Sequence, residues 1–499
     1  MLIEMKIIDI LKKHLLLISL TSLGVIIRVI FLSHNYPYIF NNDEPTLVRS
    51  AMGLFYSWEI DRFDWPHFSF YFYHFIFFLF VKFRGLIQIL NLRSLIEPAI
   101  PVFWQDPVIF YYLVRFMNGL FGGLTAIPVY LTSKNLFKDN KMALLAAFLF
   151  VLMPEHVFQS HFALLDVLLT FWFSLALLFL TRLYNNYSYS NLIWSGVFLG
   201  IATGVKYNGI LALGFYCSLV LLSLIRTYKT NELIKQIKIV VVLISISLTV
   251  FLLTSPYIIL KWDTFWSYEY GKGILWQVKT NSKAINFELL PSHLRNQLAS
   301  LILDVNPVIF CIFIFGLLRL LSIENREHKK YLIALYIFAM IYFILMARNN
   351  RAGPRFYLPL YPVIAMISGY VFSTLLLKYA KYYKILLIFV SVCLIYDCSA
   401  NLIILNKSDT RLTAVQYLKE NKLISARIYA ESEKMVIANF VNNLGYKEYK
   451  REKRFRANDL VVSENPLSTK ELRLINTISN NGRLGPPLYI YKFSSDYTK

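Results

Sequence analysis

Cysteine is scarce, four in 499 residues, which excludes a disulfide scaffold. Cys217, Cys311, Cys393 and Cys398 lie in or beside apolar runs without the paired spacing of a metal site, and read as packing residues. Low-complexity tracts and short-period repeats are missing as well, which argues against disordered tails and solenoids. Charge is sparse at 16% of residues, and acid is the scarcer sign, with 30 Asp and Glu against 51 Lys and Arg. What is abundant is apolar: 57% of the chain is hydrophobic, 16% is aromatic and the mean hydropathy is +0.51. Apolar runs of bilayer length on that background define a polytopic α-helical membrane protein. The formal charge of +21 does not point to nucleic acid, because the basic residues cluster in short loops and the recognition motifs are absent.

Runs able to span lie near residues 15–33, 108–133, 142–157, 164–181, 188–205, 209–225, 237–254, 299–318, 331–347, 356–377 and 385–405, about eleven helices. The first follows a basic start (Lys6, Lys12, Lys13) and no small-residue cleavage site follows it, so it reads as a retained anchor. A twelfth candidate, 68–83, is short and follows Pro66. If it lies in the interface, the loops holding Lys134, Lys138 and Lys141, then Arg226, Lys229, Lys235 and Lys238, then Arg319, Arg326, Lys329 and Lys330, then Lys378, Lys381 and Lys384 all fall on the cytoplasmic side with the N-terminus. If it spans, all of them fall outside. The positive-inside rule therefore assigns 68–83 as an aromatic interfacial or re-entrant helix within a long external loop, 34–106.

After about residue 405 the hydropathy falls. A helix over 409–419 with Asp409 as N-cap, and short strands at 426–431, 459–463 and 488–493, predict a small soluble α/β domain over 406–499. An odd number of spans places it outside.

The candidate chemistry gathers on that external side. Asp43 and Glu44 follow the first apolar run; the bland account of the pair is an N-cap for a helix starting near Thr46. Asp166 heads an apolar helix, where an ionisable group is costly and usually functional. Lys206 stands at an external helix boundary, where snorkelling is the plain explanation. Arg348, Arg351 and Arg355 crowd a short loop that the positive-inside rule would leave poor in cations. Arginine forks match phosphate geometry and lysine adds a point charge, so the set suggests a phosphorylated lipid. His156 and His161 lack the spacing of a helical metal pair, and an external polar turn accounts for them.

With these residues in view, the sequence resembles the GT-C polyprenyl-phosphate-sugar glycosyltransferases of the glycosyltransferase family 39 type, which include protein O-mannosyltransferases and lipid A aminoarabinose transferases. The likeness runs through Asp43-Glu44, the aromatic segment after Trp65-Pro66, residues 115–130, 161–171 and 200–209, and Ser255-Pro256-Tyr257. It continues through Arg355-Phe356-Tyr357-Leu358-Pro359-Leu360-Tyr361-Pro362, Asp409-Thr410-Arg411 and the terminal Gly485-Pro486-Pro487. The resemblance implies a GT-C type transmembrane domain over 1–405, a catalytic carboxylate in the first loop (Asp43, supported by Glu44), Asp166 in the same cavity, and Lys206 and Arg355 near the lipid phosphate. One departure stands out. Related sequences carry Lys-Pro or Pro-Pro before the aromatic helix, whereas this chain has Pro66-His67, so His67 replaces that phosphate contact only when protonated.

The expected activity is transfer of a sugar from a polyprenyl-phosphate carrier to a lipid, glycan or protein acceptor on the non-cytoplasmic face, by inverting displacement with an Asp base. No cofactor is firmly implied; a divalent metal is possible, but no residue spacing supports one. Loop 255–297 is too short for the large inserted domain of eukaryotic protein O-mannosyltransferases, which implies a bacterial or archaeal plasma membrane. Two alternatives stand beside this reading. A lipid-linked sugar transporter or flippase would show ionisable residues near helix midpoints, discontinuous helices and repeats; a ligase would take oligosaccharide from a diphosphate lipid.

Overall fold

The computed structural model describes residues 2–35, 38–41, 43–89, 108–227, 230–269, 271–281, 290–348, 353–378, 380–423, 426–430, 447–448, 454–468, 471–494 and 497–498. Among them seven helices are long and apolar enough to cross a membrane, and an eighth span is possible as a bent pair. Those eight, with the shorter apolar helices His14–Val29, Asn140–Val151 and Tyr189–Val205, match the eleven apolar runs one for one. The aromatic segment forms a helix of its own, Phe68–Ile89.

The run expected as a single span at 299–318 is instead the pair Pro291–Val305 and Pro307–Ser322, which meet at 113°. Asn306 makes the break. It is buried, its φ is +94°, and its side-chain oxygen accepts from the N–H groups of Val308 and Ile309 at 2.9 and 3.4 Å. Pro307 then starts the second helix without an N–H to satisfy. The Asn306 amide also donates to Asp397 Oδ2 at 2.6 Å.

The chain divides into two compact units. The first comprises residues 1–30, 49–78 and 114–398 and holds most of the membrane helices. Its core is continuous, with Ala143, Ala146 and Ala147 of Asn140–Val151 packed against Tyr361–Lys378. Small residues allow that close helix approach in the absence of a water-driven hydrophobic effect.

The second unit comprises 31–48, 79–113 and 399–499, so the C-terminal residues fold together with stretches of the first long loop. Its sheet has strands β1 (Ile428–Ala430), β2 (Lys447–Glu448), β4 (Leu460–Ser463), β5 (Leu472–Ile478) and β6 (Leu488–Phe493), in the order β2-β1-β4-β6-β5. β1 pairs in parallel with β2 and β4, and β6 runs antiparallel to β4 and β5. A separate ribbon joins β3 (Arg454–Phe455) to β7 (Tyr497–Thr498). Alternation along the strands covers both faces. Ala414 and Leu418 of the helix Thr410–Glu420 pack on Leu460, Val462, Leu488 and Ile490, while Val461, Tyr491 and Phe493 join Tyr429 and Phe455 behind them. The expected helix and three strands are present. β5 escapes the alternation test because its register shifts between Leu474 and Asn476.

Candidate active site

The first unit assembles a charged cluster at one end of its helices. Asp166 lies in the first turn of Leu165–Asn185, where exposed helix N–H groups favour an anion, and it is 4% exposed. The helix Tyr189–Val205 ends at Lys206, and a 3₁₀ segment, Tyr207–Ala212, turns the chain back. Gly209 makes that reversal possible: a Cβ there would sit 2.2 Å from the carbonyl carbon of Ala202. The turn aims Lys206 Nζ at Asp166 Oδ1, 2.6 Å away. Arg355 joins them with Nε 4.0 Å from Asp166 Oδ2.

One ring carries both cations. Lys206 Nζ stands 4.2 Å from the centroid of Phe356 and the Arg355 guanidinium carbon 5.7 Å from it. The ring is fixed in turn by its own backbone. Asn208 Nδ2 donates to the Tyr342 hydroxyl at 2.8 Å, and that hydroxyl donates to the Phe356 carbonyl at 3.2 Å. The cluster thus brings two cations to one carboxylate at the ends of rigid elements.

An apolar groove of about 360 Å³ begins nearby, lined by Leu298, Phe313, Tyr336, Phe343, Leu360 and Ile364. Arg355 and Leu360 belong to the same 3₁₀ segment, Pro354–Leu360. At a 3₁₀ rise of roughly 2 Å per residue, cationic and apolar ends are about 10 Å apart.

His67 lies close to the Lys206 turn: its neighbour Phe68 sits against Gly204, and the Tyr207 hydroxyl donates to the Phe63 carbonyl at 2.7 Å. The His67 N–H donates to Ser255 Oγ at 3.1 Å, and its Nε2 donates to the Arg62 carbonyl at 2.9 Å. Burial pushes its pKa down to about 4, against the partly opposing Arg62 carbonyl bond. The ring is therefore neutral near pH 7 and adds no charge for a phosphate. Arg62 is itself engaged by Asp64 through a bidentate pair at 2.9 and 2.6 Å.

Asp43 and Glu44 belong to the second unit. The helix there starts at Asp43 rather than Thr46 and runs Asp43–Gly53. Asn41 supplies the oxygen at its start, accepting from the Asp43 N–H at 3.1 Å. The N-cap account of the pair therefore passes to Asn41, three residues upstream of Glu44. Asp43 is half-buried and Glu44 fully buried.

Of the remaining expected residues, Arg348 is exposed and its backbone N–H closes the helix Arg326–Ala347. Among the described residues it makes no ion pair, and Arg351 lies outside the described residues. His156 and His161 are both buried: Arg28 donates to His156 Nδ1 at 3.2 Å, and His161 Nδ1 donates to the Val157 carbonyl at 2.8 Å. Among the described residues no set of three or more His, Cys, Asp or Glu converges as a metal site. Sequence reasoning did not single out Phe356, Tyr342 or Asn208. Phe356 and Asn208 do lie inside the motifs that carry Arg355 and Lys206; nothing in the chain marks Tyr342.

Residues 97–265 match the family model for dolichyl-phosphate-mannose-protein mannosyltransferase. No curated protein matches the chain in sequence. Solved structures that share its fold include the following two. The Archaeoglobus fulgidus oligosaccharyltransferase, in complex with Zn and sulfate, superposes with a TM-score of 0.53 at 14% identity, over 88% of this chain and 59% of that one. This chain thus spans about three fifths of that enzyme's length. ArnT from Cupriavidus metallidurans, bound to undecaprenyl phosphate, superposes with a TM-score of 0.51 at 11% identity, over 96% of this chain and 98% of that one. The architecture is the fold that these two structures share.

Proposed function

We propose that this GT-C chain is a membrane glycosyltransferase that moves a sugar from a polyprenyl-phosphate carrier to an acceptor hydroxyl on the non-cytoplasmic face of a plasma membrane. The observation that carries the reading is the Asp166–Lys206–Arg355 cluster, which shares one short 3₁₀ segment with an apolar groove. A phosphate seated on the two cations would leave its prenyl chain at the groove mouth. The ArnT structure holds such a lipid, undecaprenyl phosphate, which supports a monophosphate over a diphosphate-linked oligosaccharide.

In the reaction, Asp43 accepts the proton of the acceptor hydroxyl while that oxygen attacks the anomeric carbon. The bond from the anomeric carbon to the phosphate oxygen breaks, and polyprenyl phosphate departs with its electron pair. Lys206 and Arg355 stabilise the charge gathering on the phosphate; its low basicity removes the need for a general acid. A single displacement inverts the anomeric centre. Glu44, buried beside the base at the helix start, supports it. The N-terminus lies in the cytoplasm, and the C-terminal residues on the far side.

The test is turnover. Protein reconstituted in nanodiscs is given polyprenyl-phosphate sugars and released polyprenyl phosphate is measured, while glycolipids and glycoproteins of cells with and without the gene are compared by mass spectrometry. No donor turnover together with unchanged fractions sinks the proposal. A second reading, a flippase for lipid-linked sugar, draws on the bent pair at Asn306 and its bond to Asp397 within a membrane helix. It predicts passage of labelled lipid across proteoliposomes without phosphate release.

A further inference from the structure

The Asp409-Thr410-Arg411 and Gly485-Pro486-Pro487 motifs take no part in the chemistry above, yet they form one network in the second unit. Asp409 caps the helix Thr410–Glu420, accepting from the Arg411 N–H at 2.9 Å. The Arg411 guanidinium returns to the same carboxylate through two bonds, at 2.7 and 2.8 Å. Both side chains are buried, 1% and 8% exposed. The terminal motif closes over them: Thr410 N–H donates to the Leu484 carbonyl at 2.9 Å, and Gly485, at φ +90°, leaves no room for a side chain. A Cβ there would lie 2.2 Å from Thr410 Oγ1 and 2.7 Å from Asp409 Oδ1.

This pair grips the segment that leads to Asp43. Asp409 N–H donates to Asn35 Oδ1 at 2.9 Å, and the face of the Arg411 guanidinium lies 4.0 Å from the Phe40 ring centroid. A guanidinium whose edge is used by a carboxylate keeps its planar face for stacking, which lysine cannot imitate. The gripped stretch also bonds within itself, His34 and Tyr38 N–H donating to the Phe31 and Asn35 carbonyls at 3.0 and 2.8 Å, and buries Ile39. Phe31 and Asn35 both sit at positive φ, 61° and 62°, and the next regular element is the helix at Asp43, whose N–H is bound by Asn41. Left-handed backbone at an aromatic residue persists only where its surroundings fix it.

We infer that Arg411, braced by Asp409, is a positioning residue: with Asn35 and Phe40 it clamps the first loop to the C-terminal domain and so sets where the Asp43 carboxylate stands. The clamp gives the C-terminal domain a role in the reaction without any contact to substrate. Its catalytic consequence rests on the reading of Asp43 as base, whereas the clamp itself can be judged without activity.

The experiment uses the full chain in nanodiscs, with Arg411→Met, Arg411→Lys, Phe40→Leu and Phe40→Trp. Amide hydrogen exchange is followed over residues 38–48 and, as a folding control, over β5 and β6; release of polyprenyl phosphate from polyprenyl-phosphomannose gives kcat and KM. Arg411→Met and Phe40→Leu are expected to raise exchange over 38–48 by about tenfold with β5 and β6 unchanged. They are expected to lower kcat about 10- to 100-fold while donor KM stays within about twofold. Phe40→Trp restores both readouts; Arg411→Lys does not. The double variant Arg411→Met/Phe40→Leu is no worse than either single one. If Arg411→Met disturbs the control strands, Phe40→Leu against Phe40→Trp decides alone. Unchanged exchange over 38–48 overturns the clamp, and raised exchange with unchanged kcat overturns its positioning role. Full activity of Asp43→Asn would remove the base reading while the exchange result still judged the clamp.

Discussion

Asp166 and Lys206 are 40 residues apart in the chain and 2.6 Å apart in space, and both are largely withdrawn from solvent. Their pairing leaves Arg355 4.0 Å away as a second cation with a shared claim on one carboxylate. An incoming phosphate would meet both cations.

Breaking the pair from one side should therefore cost more than removing it. Lys206→Met leaves the buried Asp166 carboxylate to the more distant Arg355 and is expected to lower stability by up to about 3 kcal/mol, with donor turnover down by about 100-fold or more. Asp166→Asn/Lys206→Met should recover most of the stability and none of the turnover. Thermal unfolding in detergent beside a phosphate-release assay separates the two effects.

The Phe356 ring is expected to matter through its electrons rather than its bulk. Phe356→Leu should weaken donor binding about 3- to 30-fold, the range of a partly desolvated cation–π contact, and Phe356→Tyr should leave it close to the parent. Titration with polyprenyl phosphate reads the difference. Equal loss in both variants would mean that packing alone is at work.

Asp43→Asn should abolish transfer while the protein still folds and binds donor. Glu44→Gln should retain partial activity, since Glu44 is buried at the helix start and does not face the attacking hydroxyl as base. Product formation and donor binding, measured on the same preparations, check both expectations. Transfer at the parent rate by Asp43→Asn rules out the base assignment.

Acid should destabilise the protein through His67. Its folded pKa is about 4 against an ordinary 6.5, so between those values the unfolded chain binds a proton that the folded protein refuses. Stability is therefore complete above about pH 6.5 and declines as pH falls toward 4, by at most on the order of 3 kcal/mol from this group. His67→Asn should flatten that part of the melting profile. Buried His161, also pushed down to about 4 by desolvation, adds to the same limb.

Among the described residues hydropathy alone located the apolar helices, because a bilayer requires long apolar runs and each run is local in sequence. Asp166 and Lys206, which pair in the structure, were conspicuous for a related reason: a charge at the end of an apolar helix stands out against its surroundings. Capping chemistry likewise marked Asp409 before any coordinates. What sequence could not reveal was decided by contacts between distant residues. The 113° bend at Asn306 depends on a bond to Asp397 as much as on the local Asn-Pro pair. The sharing of Phe356 by two cations, the Tyr342 hydroxyl beneath it and the stacking of Arg411 on Phe40 each join segments whose separation carries no periodic signal. Apolar runs and helix ends are properties of short stretches of chain; which charge meets which ring is settled only when the tertiary structure closes.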